Sequence, residues 1–189
     1  MKSKLLSLFL GLVLIPYSWA LTALDQPTLE AALNTMADIT ALAEQHPEWE
    51  NQGEEQDFFA DDGSGFVGHL KSVGAYDEIN KIAKEHGFSN IEEGFDVFRR
   101  AMLAGMTLQF EAMGMDFQTL TTSITQRMAA MQQNGASAEM LAEQQAQLDE
   151  FNSMAAAMSS ISDNDKAAMK QHASWFFQTL EQMGLEGAQ

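Results

Sequence analysis

The amino-acid sequence predicts an all-α fold of about six helices, in which the last four form an antiparallel bundle and the N-terminal helices pack on one side of it. Apolar residues recur every three or four positions through most of the chain, which is the period of one face of an α-helix. Residues that start and stop helices separate these stretches at short intervals, as expected between antiparallel neighbours. No segment alternates apolar and polar residues in the way that a half-buried strand does.

Residues 1–20 are predicted to be a signal peptide that is removed on export. Two lysines precede an apolar run at residues 5–15, and Ser18 and Ala20 supply the small residues that a signal peptidase recognises. The run is shorter than the roughly 20 residues that cross a bilayer, so a membrane anchor is disfavoured. Cleavage after Ala20 leaves residues 21–189 as a single helical domain, which we expect in the periplasm.

The acidic composition restricts the partners that the chain can have. The chain holds 27 acidic and 10 basic residues, a formal net charge of −17, and loss of the two signal-peptide lysines brings it to −19. Such a charge repels nucleic acid and anionic membrane surfaces, so we expect neither as a partner and no stable membrane insertion. It also keeps an exported protein soluble. Because the chain has no cysteine, its stability must come from the core alone.

The first predicted helix begins near Asp25, has Pro27 in its first turn, and is stopped by Pro47. An acidic connector follows at residues 44–65, with eight acidic residues and no base in positions 44–62. Two short helices are predicted between this connector and the four C-terminal helices.

Each of the four C-terminal helices has its own start or stop signal. Ser89 and Glu92 have the spacing of a capping box, in which the Ser89 hydroxyl accepts the Glu92 backbone N–H and the Glu92 carboxylate returns to the Ser89 N–H. Gly105 is expected either to kink the helix that follows or to admit a close neighbour. Gly135 ends one of the next two helices, and Ser137 can start the other. Ser162 begins a second capping arrangement, in which Asp165 takes the place of the glutamate.

No motif in the chain predicts an enzyme. There is no cysteine nucleophile, no G-x-S-x-G and no phosphate-binding loop, and the glycine-rich turn at residues 61–65 lacks the spacing of a calcium loop. His172 falls on an apolar helix face, where a hydrogen-bonded core histidine is the simplest interpretation and a pH-sensitive or metal-binding group is the alternative. None of the histidines, His46, His69, His86 and His172, has a partner at metal-ligand spacing. We therefore predict no catalytic residue, no metal ligand and no cofactor.

Methionine is unusually frequent, with 13 in the chain, and most of these residues lie on the predicted apolar helix faces. Three explanations stand side by side. Methionine fills irregular cores, it lines adaptable grooves for apolar partners, and its thioether binds Cu(I). The candidate groove residues are Phe98, Met102, Met106, Phe110, Met113, Met128, Met131, Met154, Met158 and His172.

The sequence therefore favours a non-enzymatic, exported binding protein, chaperone-like in character, with a Met/Phe-lined apolar groove and an acidic surface. We expect its partner to be a protein or peptide, either basic or partly unfolded. The alternative function is Cu(I) binding by the clustered methionines. The composition leaves the oligomeric state open.

Overall fold

The computed structural model describes residues 22–49, 64–114 and 117–184, and this part of the chain contains seven α-helices and no strand. The helices are α1 (Gln26–Ala43), α2 (Ser64–Ser72), α3 (Tyr76–Glu85), α4 (Ile91–Ala112), α5 (Phe117–Gln133), α6 (Ala138–Ser159) and α7 (Asp163–Gln182). The all-α prediction is confirmed, with seven helices in place of about six. The predicted signal peptide and most of the acidic connector lie outside the described residues.

Three of the predicted helix starts are confirmed. The side chains of Asp25, Ser137 and Ser162 each accept the backbone N–H three residues further on, at 3.0, 3.2 and 3.1 Å. Each therefore satisfies one of the N–H groups that a helix leaves without a partner in its first turn. After the C-terminal ends of α3 and α5, Gly87 and Gly135 have positive φ angles of 94° and 76°, a conformation that glycine adopts without strain.

The predicted start of α4 is wrong by one residue. Asn90, and not Ser89, is the cap, because its Oδ1 accepts the backbone N–H of Glu93 at 2.8 Å. The returning carboxylate belongs to Glu93, which accepts the Ser89 N–H at 2.8 Å, and not to Glu92. Asparagine caps a helix as well as serine does, and this register leaves Ile91 completely buried as the first helical residue.

The core lies around α4, which packs against α1, α3, α6 and α7. Its completely buried large side chains come from four helices and include Leu29, Leu33, Ile79, Leu103, Met169 and Phe176. Gly105 of α4 lets α7 approach closely, since an added Cβ would lie 2.5 Å from Cε2 of Phe177. Of the two roles considered for Gly105, the close neighbour is therefore the one observed.

The C-terminal helices pair in a way that is consistent with a bundle: α4 packs against α7 and α6, and α5 packs along α6. No other described helix contacts α5 to a similar extent. We refer to α5 and α6 as the hairpin, and to α1, α2, α3, α7 and α4 as far as Gly105 as the body. Among the described helices, none combines the length and the hydropathy that a membrane span requires.

The hairpin differs from the body in burial. Between Gly105 and Leu148, none of the side chains that the structure describes is buried. The base of the hairpin is the exception, because Met158 is only 3% exposed and joins the core of the body. The rest of the hairpin is thus covered on one side only.

Candidate functional site

The predicted groove residues lie in four different places in the structure. Phe98, Met102, Met106, Phe110 and Met154 are half-buried and pack against the core of the body, and Met158 is buried within it. Met128 and Met131 are half-buried on α5 and are not among the described side chains that pack on that core. Met113 is 60% exposed at the end of α4, and His172 lies at a separate cleft.

The side chains of Met102 and Met106 on α4 pack against the core of the body. Met102 and Met106 are one helical turn apart and both touch the core cluster. Met169 of α7 is completely buried in the same cluster. For these three side chains, filling an irregular helix interface accounts for the choice of methionine.

The two helices of the hairpin meet along a seam with seven-residue periodicity. On α5 the seam positions are Thr121, Ile124, Met128 and Met131, and on α6 they are Leu141, Gln144, Leu148 and Phe151. This spacing is that of the contact positions in coiled coils. All except Leu148, which is 8% exposed, are only half-buried. A pair of helices leaves such a seam open on one side.

The positions that flank the seam are almost without charge. On α6 they are Ala138, Met140, Gln145, Gln147 and Asn152, and on α5 they are Leu120, Thr125, Arg127 and Gln132. Arg127 is the only charged residue among them. The acidic residues of α6 lie at other positions of the helix, namely Glu139, Glu143, Asp149 and Glu150. We call the seam and these flanks together the open face of the hairpin.

This low charge is specific to the hairpin. Residues 117–159 contain five charged side chains in 43 positions, whereas residues 76–112 contain eleven in 37. Met140, near the start of the α6 flank, is 51% exposed to solvent. Depletion of charge and enrichment of methionine are typical of the centres of protein interfaces. The open face therefore has the composition of a surface that is covered by another chain.

A second candidate region is an open cleft of about 610 Å³ between the N-terminal segment, α4 and the start of α7. It is lined by Ala23, Leu24, Asp25, Arg100, Ser162, Asn164, Asp165, Ala168, Gln171 and His172. At its base, Arg100 donates from Nε and Nη2 to the two carboxylate oxygens of Asp165, at 3.1 and 2.5 Å. Its Nη1 donates to the backbone oxygen of Thr22 at 3.0 Å and to Asp96 at 3.3 Å.

The main role of Arg100 is to connect separate parts of the fold, and not to bind a ligand in the cleft. Its side chain is 6% exposed, and its hydrogen bonds join three distant parts of the chain. Burial lowers the pKa of Arg100, but the hydrogen bond and charge of Asp165 outweigh burial, so the pKa stands above its ordinary value. In the same cleft, hydrogen bonds from Thr28 lower the pKa of the Asp25 carboxyl. With Arg100 committed to these partners, the cleft offers a ligand chiefly exposed neutral groups.

The sequence did not reveal this ion pair, and it misplaced His172. His172 is half-buried on the wall of the cleft and is not a core histidine, because it lies at the edge of the buried face of α7. Asp165 was interpreted as a capping acid, but its carboxylate binds Arg100. One signal was present: Arg100 falls between Val97 and Leu103 on an apolar face, and arginine is rarely buried unless it is paired.

Within the described ranges, no cluster of three or more His, Asp or Glu side chains is placed to hold a metal ion. Comparison of the chain with protein-family models, with curated proteins and with solved structures finds no match. The class that the fold defines is therefore an all-α protein with a helical hairpin on a compact helical body, and its function has to be argued from its own surfaces.

Proposed function

We propose that this is a non-enzymatic, exported binding protein that docks an apolar segment of another protein chain on the open face of the hairpin. One observation carries the proposal: a mostly apolar, half-buried seam lies between flanks whose single charge is Arg127, in a chain whose net charge is −17. Scattered exposed apolar residues are ordinary on a protein surface, but a clustered apolar face with almost no charge at its borders marks an interaction site.

The free energy of burying apolar side chains favours a partner bound on the open face over exposure of that face to water. Complete burial of a methionine or leucine side chain stabilises by roughly 1.5–3 kcal/mol, and a half-buried side chain has gained only part of this. Met128, Met131 and Leu141 are all in this state. Methionine side chains are flexible enough to repack around partners of different shape, which suits a chaperone-like role. The acidic remainder of the chain keeps a protein with such a face in solution.

The proposal is tested by comparing hairpin methionines with body methionines. We expect the wild-type protein to enhance the fluorescence of an apolar dye and to slow the aggregation of an unfolded model client, measured by light scattering. Met128→Gln with Met131→Gln should greatly reduce both effects, because polar amides replace thioethers on the open face.

The matched control is Met102→Leu with Met106→Leu, which nearly conserves volume at positions against the body core. Each change should cost less than about 1.5 kcal/mol and should leave dye and client binding unchanged. A Cu(I) competition titration on the same proteins tests the other function considered for the methionines. If the wild type binds neither dye nor client, or if tight Cu(I) binding is lost in the double variants, the proposal is wrong.

A further inference from the structure

We infer that the chain which covers the open face is a second copy of this protein, so that two hairpins close into a four-helix bundle. The inference rests on the proposed function, because it names the partner of the same surface.

The geometry of the hairpin is that of half a four-helix bundle. The helices α5 and α6 contain 17 and 22 residues, or about 25 and 33 Å at 1.5 Å per residue, and a short turn at residues 134–137 joins them. Two antiparallel helices cannot surround their common seam. A second antiparallel pair laid across it buries the seam from every side, and this is the packing of a four-helix bundle.

The charges make the face compatible with itself. A two-fold interface brings the same surface of each copy together, so like charges on it repel. Among the flanking positions, Arg127 is the only such charge, and α5 has no acidic residue while α6 has four acids and no base. The acids of α6 lie away from the open face, so pairing each α5 with the α6 of the second copy places no like charges opposite each other across the interface. Arg127 is exposed and forms no ion pair with any side chain that the structure describes.

A polar group in the seam supplies register. Gln144 occupies a seam position of α6 and is half-buried, and its Nε2 donates to Gln147 on the flank at 2.9 Å. A single polar residue at a seam position is a recognised means of fixing alignment and oligomer state in helical assemblies. Gln144 therefore favours one alignment of the two hairpins over an unspecific apolar contact.

The area points to a reversible dimer. Two helices of this length, each about 10 Å wide, offer a face of roughly 500 Å² per copy. Two copies then bury about 1,000 Å² in total, which is at the lower end of specific interfaces. The dimer should therefore populate and dissociate with protein concentration. Because the acidic bodies repel each other, screening by salt should strengthen it, whereas salt would weaken the docking of a basic partner.

The experiment is a concentration series of the chain from residue 21 to residue 189, followed by light scattering after size exclusion and by sedimentation. At about 0.15 M salt, where the Debye length is about 8 Å, we expect the mass to rise from one chain towards two. At about 0.01 M salt the same rise should need a higher protein concentration. A mass of one chain at every concentration and at both salt levels would overturn the inference.

Two matched variants identify the surface. Met140→Glu with Gln147→Glu places charge on exposed flank positions of α6 and should raise the dimer dissociation constant by more than about tenfold, or 1.4 kcal/mol. Ala142→Glu with Ala146→Glu adds the same charge to exposed positions away from the flank and should change the dimer dissociation constant far less. Circular dichroism checks that both double variants stay helical. A third variant, Arg127→Glu, changes an exposed flank residue of α5 and should weaken the dimer as well. Equal dissociation constants for the two double variants would contradict the inference.

The client assay separates this inference from the proposed function. A protein that is always a single chain, yet protects a client in a way that the flank variant abolishes, retains the proposed function and loses the inference. A protein that dimerises through the flank and does not protect a client supports self-association as the function of the open face, without binding of other proteins. A protein that does neither loses both.

Discussion

The body and the hairpin are built from the same helical pattern but differ in what surrounds them. In the body, Leu103 and Met169 are completely buried where α4 meets its neighbours. In the hairpin, Met128 and Leu141 lie on equally regular apolar faces and are only half-buried. The difference teaches that periodicity identifies the face of a helix that prefers burial, while the number of neighbouring helices decides whether that face is buried within one chain.

The largest effect should come from the ion pair that joins α7 to α4 in the body. Asp165→Asn removes the charge that Arg100 binds at a buried position and should lower the free energy of unfolding by about 3–5 kcal/mol. The matched control is Asp163→Asn, whose ion pair with Lys166 is exposed and should contribute less than about 1 kcal/mol. Urea unfolding measures both, and equal losses would show that Arg100 does not depend on Asp165.

Truncation of one leucine in each region tests the comparison directly. Leu103→Ala should cost about 2–5 kcal/mol, because it leaves a cavity in a completely buried site. Leu141→Ala should cost about 1 kcal/mol or less, because its side chain is half-exposed in the hairpin. The readout is urea unfolding followed by circular dichroism at low protein concentration. A larger loss for Leu141→Ala would mean that the hairpin is as fully packed as the body.

Helix caps give a smaller version of the same contrast. Asn90→Ala removes the cap of α4 in the body and should cost about 1 kcal/mol of global stability. Ser137→Ala removes the cap of α6, but the hairpin can open locally, so hydrogen exchange in α5 and α6 should rise while the global midpoint moves less. Ser89→Ala should cost less than Asn90→Ala, since Ser89 is not the cap and its main hydrogen bond to Glu93 comes from the backbone N–H, which the substitution keeps. A loss of stability in Ser89→Ala as large as that in Asn90→Ala would instead restore Ser89 as the cap.

The smallest expected effect is a pH dependence in the body. The backbone N–H of Ser89 and the hydroxyl of Thr22 hydrogen-bond the Glu93 carboxylate and lower its pKa. A lowered pKa in the folded state means that the carboxylate stabilises the protein near neutral pH, and that this contribution disappears as the pH falls below the ordinary glutamate pKa of about 4.3. Glu93→Gln should therefore destabilise at pH 7 and converge with the wild type in acid. A constant difference across this range would contradict the assignment.

Local chemistry made much of the fold predictable. Asp25, Ser137 and Ser162 cap helices as expected, because a cap depends on a few neighbouring residues along the chain. The start of α4 was displaced by one residue because Ser89 and Asn90 are equally good caps, and burial of Ile91 decides between them. The helical class followed from the apolar period alone.

The candidate site was predictable in composition but not in position. The sequence identified the Met/Phe residues as a group. The structure places most of them against the core of the body, Met128 and Met131 on the open face of the hairpin, and Met113 in neither place. Both kinds of position have the same three- and four-residue spacing. Only the path of the chain in space decides which helices have neighbours on both sides.

The sequence by itself therefore determined the helices, most of their ends and the acidic charge, because each depends on composition or on residues within one or two turns. Tertiary structure decided the pairing of Arg100 with Asp165, which are 65 residues apart, and the contact of Gly105 with Phe177. It also decided which methionines are covered. A residue such as Arg100 can show locally that it needs a partner, but not which partner, because the free energy of such contacts is gained only when distant segments are brought together and lose water from their surfaces.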